Sequence, residues 1–161
     1  MTNQIQDRDP PEYHLSQVNQ QIRDMMNAVL RRHNLKLVEW RVLQCLADEG
    51  TLSVCELSTL AVLERTATGR LVDRLVDRGL VIKEQMPNDR RFARISLHAD
   101  GLQQLNNCEA QVKEARDRLF SGLSQSDLQQ FLNTLLVLQR NMADGAPSGT
   151  ASFDLAIARD G

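Results

Sequence analysis

The chain has 161 residues, 42% of them hydrophobic and 25% charged, with a formal net charge of -2. These are ordinary values for a globular chain long enough to bury a core, as one domain or one domain with an elaborated dimerisation part, and bulk charge does not announce nucleic acid. Aromatic residues make up only 4%, so the core is expected to come from Leu and Val, which suits helices better than a β-sandwich.

Residues 1–11 are polar, lack a signal-peptide core and end in Pro10-Pro11, which predicts a flexible lead-in. Leu15, Val18, Ile22, Met25, Met26, Val29 and Leu30 then recur at helical spacing, predicting one long amphipathic helix that ends near Asn34. Trp40, Leu43, Leu46 and Ala47 mark a second, shorter helix, stopped at Glu49-Gly50, where Gly50 suits the left-handed C-terminal position. Ser53-Val54-Cys55-Glu56 reads as a capping box opening a third helix, with Leu57, Leu60 and Ala61 on one face. After a turn at Val62-Leu63, a fourth helix is expected from Glu64 to Arg78, with Leu71, Val72, Leu75 and Val76 as its buried stripe and Gly79 ending it.

The period then becomes strand-like. Leu80 to Met86 and Phe92 to Leu97 flank a turn, Pro87-Asn88-Asp89-Arg90-Arg91, giving a β-hairpin with a basic tip. A fifth helix carries Leu102, Leu105, Cys108, Val112, Ala115 and Leu119. Past Gly122, the cap-like Ser124-Gln125-Ser126-Asp127 opens a sixth, with Leu128, Phe131, Leu132, Leu135, Leu138 and Met142. Residues 144–161 are expected to be a flexible tail. No apolar run approaches the ~20 residues a membrane span requires, so a soluble, cytoplasmic protein is expected.

The order of elements predicts a mainly α (α+β) chain, a winged helix-turn-helix over 35–97 framed by helices over 12–34 and 98–143. A major groove about 12 Å wide admits one helix, and the third helix would buttress the fourth against DNA. Residues 64–94 hold eight basic side chains against five acidic ones, a basic middle between acidic flanks, which is what a local phosphate-binding surface needs. On the fourth helix, Arg65 and Thr66 lie at the end that reaches base edges, while Arg70 and Arg74 suit phosphates. Thr68 belongs to the same candidate set, and Gly69 permits close backbone approach. The bland alternative is that Arg70 with Asp73, and Arg74 with Asp77, form i,i+3 pairs on a solvated face. At the hairpin tip, Asn88, Asp89, Arg90 and Arg91 are candidates for the minor groove, where arginine meets enhanced negative potential. There Asp89 would hold a neighbouring arginine.

These residues carry a resemblance. Leu71-Val72-Asp73-Arg74-Leu75-Val76-Asp77-Arg78-Gly79-Leu80-Val81 is similar to a characteristic stretch of the MarR family. Pro87-Asn88-Asp89-Arg90-Arg91, with Arg94-Ile95-Ser96-Leu97 and Gly101, resembles that family's wing, and Trp40-Arg41-Val42-Leu43 resembles a common form of its second helix. Three positions depart from the pattern: Met86 stands before the Pro, Gly69 stands where Thr is common, and His98 stands where a Thr usually caps the fifth helix. The resemblance spans roughly residues 15–143. It implies an obligate homodimer with interlaced first, fifth and sixth helices, a palindromic double-stranded DNA operator, and often a ligand that releases the DNA. Physics agrees on the dimer: those helices carry more apolar stripe than a small winged core covers, and a twofold sets two half-sites ~34–36 Å apart.

The resemblance also implies an effector pocket between the dimer helices and the DNA-reading lobe. Met25, Met26, Val29, His33, Trp40 and Arg41 are its candidates, because Met adapts, Trp stacks and Arg41 would hold a carboxylate. Met25, Met26 and Trp40 read equally well as plain core, and Arg41 as a surface or phosphate contact. A small aromatic carboxylate, or its coenzyme A thioester, is the effector suggested by resemblance alone. Three other readings stay open. Cys45, Cys55 and Cys108 allow a thiol sensor, although no cysteine lies on the first helix and two sit on or near apolar stripes. A winged module that binds protein would leave the arginine tip idle. An enzyme is not expected, since His14, His33 and His98 are scattered and no nucleophile elbow, phosphate loop or metal spacing occurs; no cofactor is expected either.

Overall fold

The computed structural model describes residues 9–87 and 89–144, and the side chains of all of these but 89–91. Of the lead-in expected over residues 1–11, residues 1–8 lie outside the described residues, and so does the tail expected over 144–161 from Gly145 onward. By its contacts the chain divides into two units, Met1–Leu119 and Phe120–Gly161.

In the first unit, α1 spans Pro11–Arg31. Pro11 corrects the expected boundary: it starts the helix, because the first helical position has no acceptor for an N–H and the ring pre-sets a helical φ. Asn34, at φ +54, turns the chain out of α1, and the Leu35 N–H bonds the Leu30 carbonyl at 3.1 Å. α2 follows over Leu37–Glu49 and buries Glu39, Val42, Leu43 and Leu46, whereas the expected Ala47 is exposed. Gly50 ends it at φ +81 and ψ -134, a conformation open to glycine but outside the left-handed helical well expected there.

Ser53 caps α3 (Val54–Leu60) as its sequence predicts: the Glu56 N–H donates to Ser53 Oγ at 3.2 Å and the Ser53 N–H to Glu56 Oε2 at 2.7 Å. α4 spans Arg65–Asp77 and ends at Gly79, φ +69, with the Leu80 N–H bonded to the Leu75 carbonyl at 2.9 Å.

The sheet has one strand more than expected. β1 (Leu52–Ser53) pairs antiparallel with β3 (Asp89–Leu97), which pairs antiparallel with β2 (Val81–Met86), in the order β1-β3-β2. Two residues are too few for a period-2 pattern to register. β1 exists because Leu52 needs burial opposite the fully buried Ile95. β3 also begins three residues earlier than its apolar pattern, with a register irregularity at Gln85/Met86.

Leu30, Val42, Leu43, Leu57, Val72, Leu75, Ile95 and Cys108 are all fully buried in one cluster. Its stability is therefore aliphatic, with each buried Leu or Val contributing about 1.5–3 kcal/mol. α5 (Ala99–Leu119) packs on α1 and α2 through Leu105, Cys108, Val112 and Ala115. His98 caps it as expected, its Nδ1 accepting the Asp100 N–H at 3.1 Å. In the second unit, α6 (Gln125–Asp144) opens on Ser124, whose Oγ accepts the Asp127 N–H at 3.2 Å. α6 buries no residue: Phe131, Leu132, Leu138 and Met142 are exposed in the single chain.

Candidate nucleic-acid interface

The turn between α3 and α4 decides how α4 is presented. Ala61 closes α3, Val62 takes φ +56, and the Leu63 N–H bonds back to the Ser58 carbonyl at 2.8 Å. A β-branched residue at positive φ is strained, so the tight turn is held by the packing of α3 on α4. Glu64 then caps α4, its carboxylate accepting the N–H groups of Thr66 at 2.8 Å and Ala67 at 2.7 Å. Those two backbone bonds, that of Thr66 first, hold the Glu64 carboxyl below its ordinary value.

Leu71, Val72 and Leu75 face the core, and Arg65, Thr66, Arg70 and Arg74 are exposed. An ideal Cβ on Gly69 would meet nothing within 4 Å, so this stretch of the outer face is open. Thr68 is a correction. It lies three residues before Leu71 and four before Val72, on the same face, is fully buried, and donates its hydroxyl to the Glu64 carbonyl at 2.8 Å. It shapes the inner face of α4 and cannot reach a base. The i,i+3 alternative also fails: Asp73 turns to Lys83 Nζ on β2 at 2.7 Å, and among the described residues no ion pair forms to Arg65, Arg70 or Arg74.

Three members of the basic middle are engaged within the fold. Lys83 ties β2 to α4. Arg94 on β3 donates to the Thr51 carbonyl at 3.1 Å and lies 4.0 Å from Glu56. Arg78 pairs with Glu39 at 3.1 Å. The charge count along the chain therefore overstated the cations available to a phosphate. Side chains at Asn88, Asp89, Arg90 and Arg91 lie outside the described set.

The six effector candidates are dispersed. Met26 is in the core; Met25, Val29 and Trp40 are half-buried against it; His33 is intermediate and Arg41 exposed. A cleft of about 560 Å³ lies elsewhere, lined by Asp24, Asn27, Arg31, Lys36, Glu39 and Arg78 among others, and none of the six lines it. It was invisible to a search for apolar and aromatic residues because it is polar. Burial raises the Cys45 thiol, against a smaller opposing effect of Arg41, and burial likewise raises that of Cys108. Both are kept protonated at neutral pH, and Cys55 is the exposed cysteine.

A family model for the MarR family matches residues 35–92. The HTH-type transcriptional repressor IacR of Pseudomonas putida is 28% identical over 141 residues, 88% of this chain and 84% of that protein. A crystal structure of a mutant MarR from Escherichia coli complexed with operator DNA matches with a TM-score of 0.70 at 22% identity, covering 88% of this chain and 99% of that one. Bordetella bronchiseptica BpsR, solved for the mechanism by which 6-hydroxynicotinic acid regulates its DNA binding, matches with a TM-score of 0.70 at 20% identity, covering 83% and 98%. A helix with a buried aliphatic stripe and a basic outer face, set beside a sheet whose β2 and β3 form the wing, agrees with these matches: the chain has the winged helix-turn-helix fold, and its residues 35–92 match the model of the MarR family.

Proposed function

We propose that the chain is a repressor that binds a palindromic operator as a homodimer and leaves it when a small aromatic carboxylate binds. The observation that carries the DNA reading is the exposed face of α4, where Arg65, Thr66, Arg70 and Arg74 stand around an open Gly69. Arg65 and Thr66 would read base edges, Arg70 and Arg74 would hold phosphates, and Asn88, Asp89, Arg90 and Arg91 would present the wing to the minor groove. The bare apolar face of α6 supports a dimer built on α1, α5 and α6, since single soluble chains rarely leave such a stripe uncovered. A dimer seated on a promoter would block polymerase, in keeping with the repressor it resembles.

The carboxylate effector is supported by the BpsR likeness. The protonated state of Cys45 and Cys108 weighs against thiol sensing at those two positions.

The test is a duplex selected from a random pool by the wild-type chain, with affinity measured across salt concentrations. Arg65→Ala should cost about 1–3 kcal/mol and relax preference at one base position. Arg74→Ala should weaken all sequences alike and lower the salt slope by about 1. A protein that selects no sequence, or whose affinity ignores salt, is not bound this way. Calorimetry with a panel of aromatic carboxylates tests the effector, and no heat and no loss of DNA affinity would remove it.

A further inference from the structure

We propose that Arg78 and Glu39 are positioning residues for α4, locking the far end of the reading helix to the corner between α1 and α2. By sequence Arg78 counts among the cations of the basic middle. In the structure its Nη2 donates to the Asn34 carbonyl at 2.6 Å, 44 residues away, and its Nη1 lies 3.1 Å from Glu39 Oε2. The Glu39 side chain is only 8% exposed. The same oxygen accepts the Lys36 N–H at 2.9 Å, and Asn27 Oδ1 accepts the Leu37 N–H at 3.0 Å. The end of α1, the start of α2 and the end of α4 therefore meet in one hydrogen-bonded knot. A guanidinium is suited to this site because its planar fork reaches a carbonyl and a carboxylate together.

The lock rests on α4 being the element that enters the groove. At 1.5 Å per residue the helix is a lever of about 20 Å, on which a tilt of about 3° at Arg78 moves Arg65 by about 1 Å. That displacement is enough to misalign a two-pronged contact to a base. The lock thus ties the register of the reading residues to α1.

Two conservative variants that keep the packing test this on the selected duplex, Arg78→Lys and Glu39→Gln, with Arg65→Ala as the control for α4 itself. Melting temperature, dissociation constant and its salt slope are measured for each. Both variants should weaken binding about tenfold with the salt slope unchanged, and the double variant should lose no more than either alone. A phosphate contact at Arg78 predicts otherwise: Lys would substitute well, and removing an acid at Glu39 would tighten binding. Tighter binding by Glu39→Gln, or near-native binding by Arg78→Lys, overturns the proposal. So does a lower melting temperature with an unchanged dissociation constant, which would make the pair structural only. If Arg65→Ala is silent, the reading of α4 fails instead, and the two failures are distinguishable.

Discussion

Gly101 and Gly69 are both helical glycines, and the structure predicts that alanine acts on them with opposite sign. A Cβ built on Gly101 would lie 2.1 Å from the Leu80 carbonyl oxygen and 2.8 Å from Leu97 Cδ1. Ordinary contact begins at 3.4 Å, so α5 and the Leu80 backbone would have to part by about 1.3 Å (3.4 less 2.1). The same carbonyl accepts the His98 N–H at 3.1 Å, a bond that such a separation breaks. Overpacking costs about 1–3 kcal/mol and the lost bond about 0.5–1.5 kcal/mol. The gain in helix propensity offsets about 1 kcal/mol. The net is a loss of about 2 kcal/mol, or a melting temperature lower by about 4–8 °C for a chain of this length. At Gly69 nothing opposes the propensity gain, so Gly69→Ala should raise stability by about 1 kcal/mol. Its new methyl stands on the open outer face of α4 and, if that face reads DNA as proposed, should weaken DNA binding. Thermal and urea unfolding of both variants, followed by circular dichroism at fixed protein concentration, checks this. A Gly101→Ala protein that melts with the wild type, or two variants shifted in the same direction, would refute the close approach of α5 to Leu80.

Val62→Gly should stabilise the chain by about 1 kcal/mol, since it relieves positive-φ strain and the side chain is 78% exposed; a lower melting temperature would mean the turn is not strained. Acid should loosen the helix caps. Glu56 is lowered from 4.5, chiefly by the Ser53 N–H, and Glu64 from 4.5 by the Thr66 and Ala67 N–H groups. With folded values depressed, their contribution is complete above the ordinary carboxylate value and is lost as pH falls through the folded ones. Melting temperature should therefore decline below about pH 4.5, and replacing both by Gln should flatten that decline; an unchanged acid limb counts against the caps. In the native chain a maleimide should modify Cys55 quickly and Cys108 only on unfolding, and rapid labelling of Cys108 would contradict its burial.

Much of this architecture was legible along the chain because it is written in local chemistry. The Ser53/Glu56 capping box, the stop at Gly79, the cap at His98 and the stripe of Leu71, Val72 and Leu75 depend on neighbours within about one or two helical turns. The same periodicity placed Arg65, Thr66, Arg70 and Arg74 on one exposed surface. Gly101 was visible as a motif position, but its reason was not, because the atom that excludes a methyl group belongs to Leu80.

What escaped was set by partners distant in sequence. β1 exists through its pairing with Ile95, Thr68 is core because the α4 stripe is wider than its aliphatic residues, and the fates of Arg78, Lys83 and Arg94 depend on Asn34, Glu39, Asp73 and Thr51. A residue type announces the charge it carries, and only packing decides whether that charge meets another part of the fold or faces outward. Local pattern alone determined that this chain has a helix with an aliphatic inner stripe and a basic outer face. The tertiary structure decided which of the arginines in and around it are left facing outward, because a long side chain finds its partner in space and not in sequence.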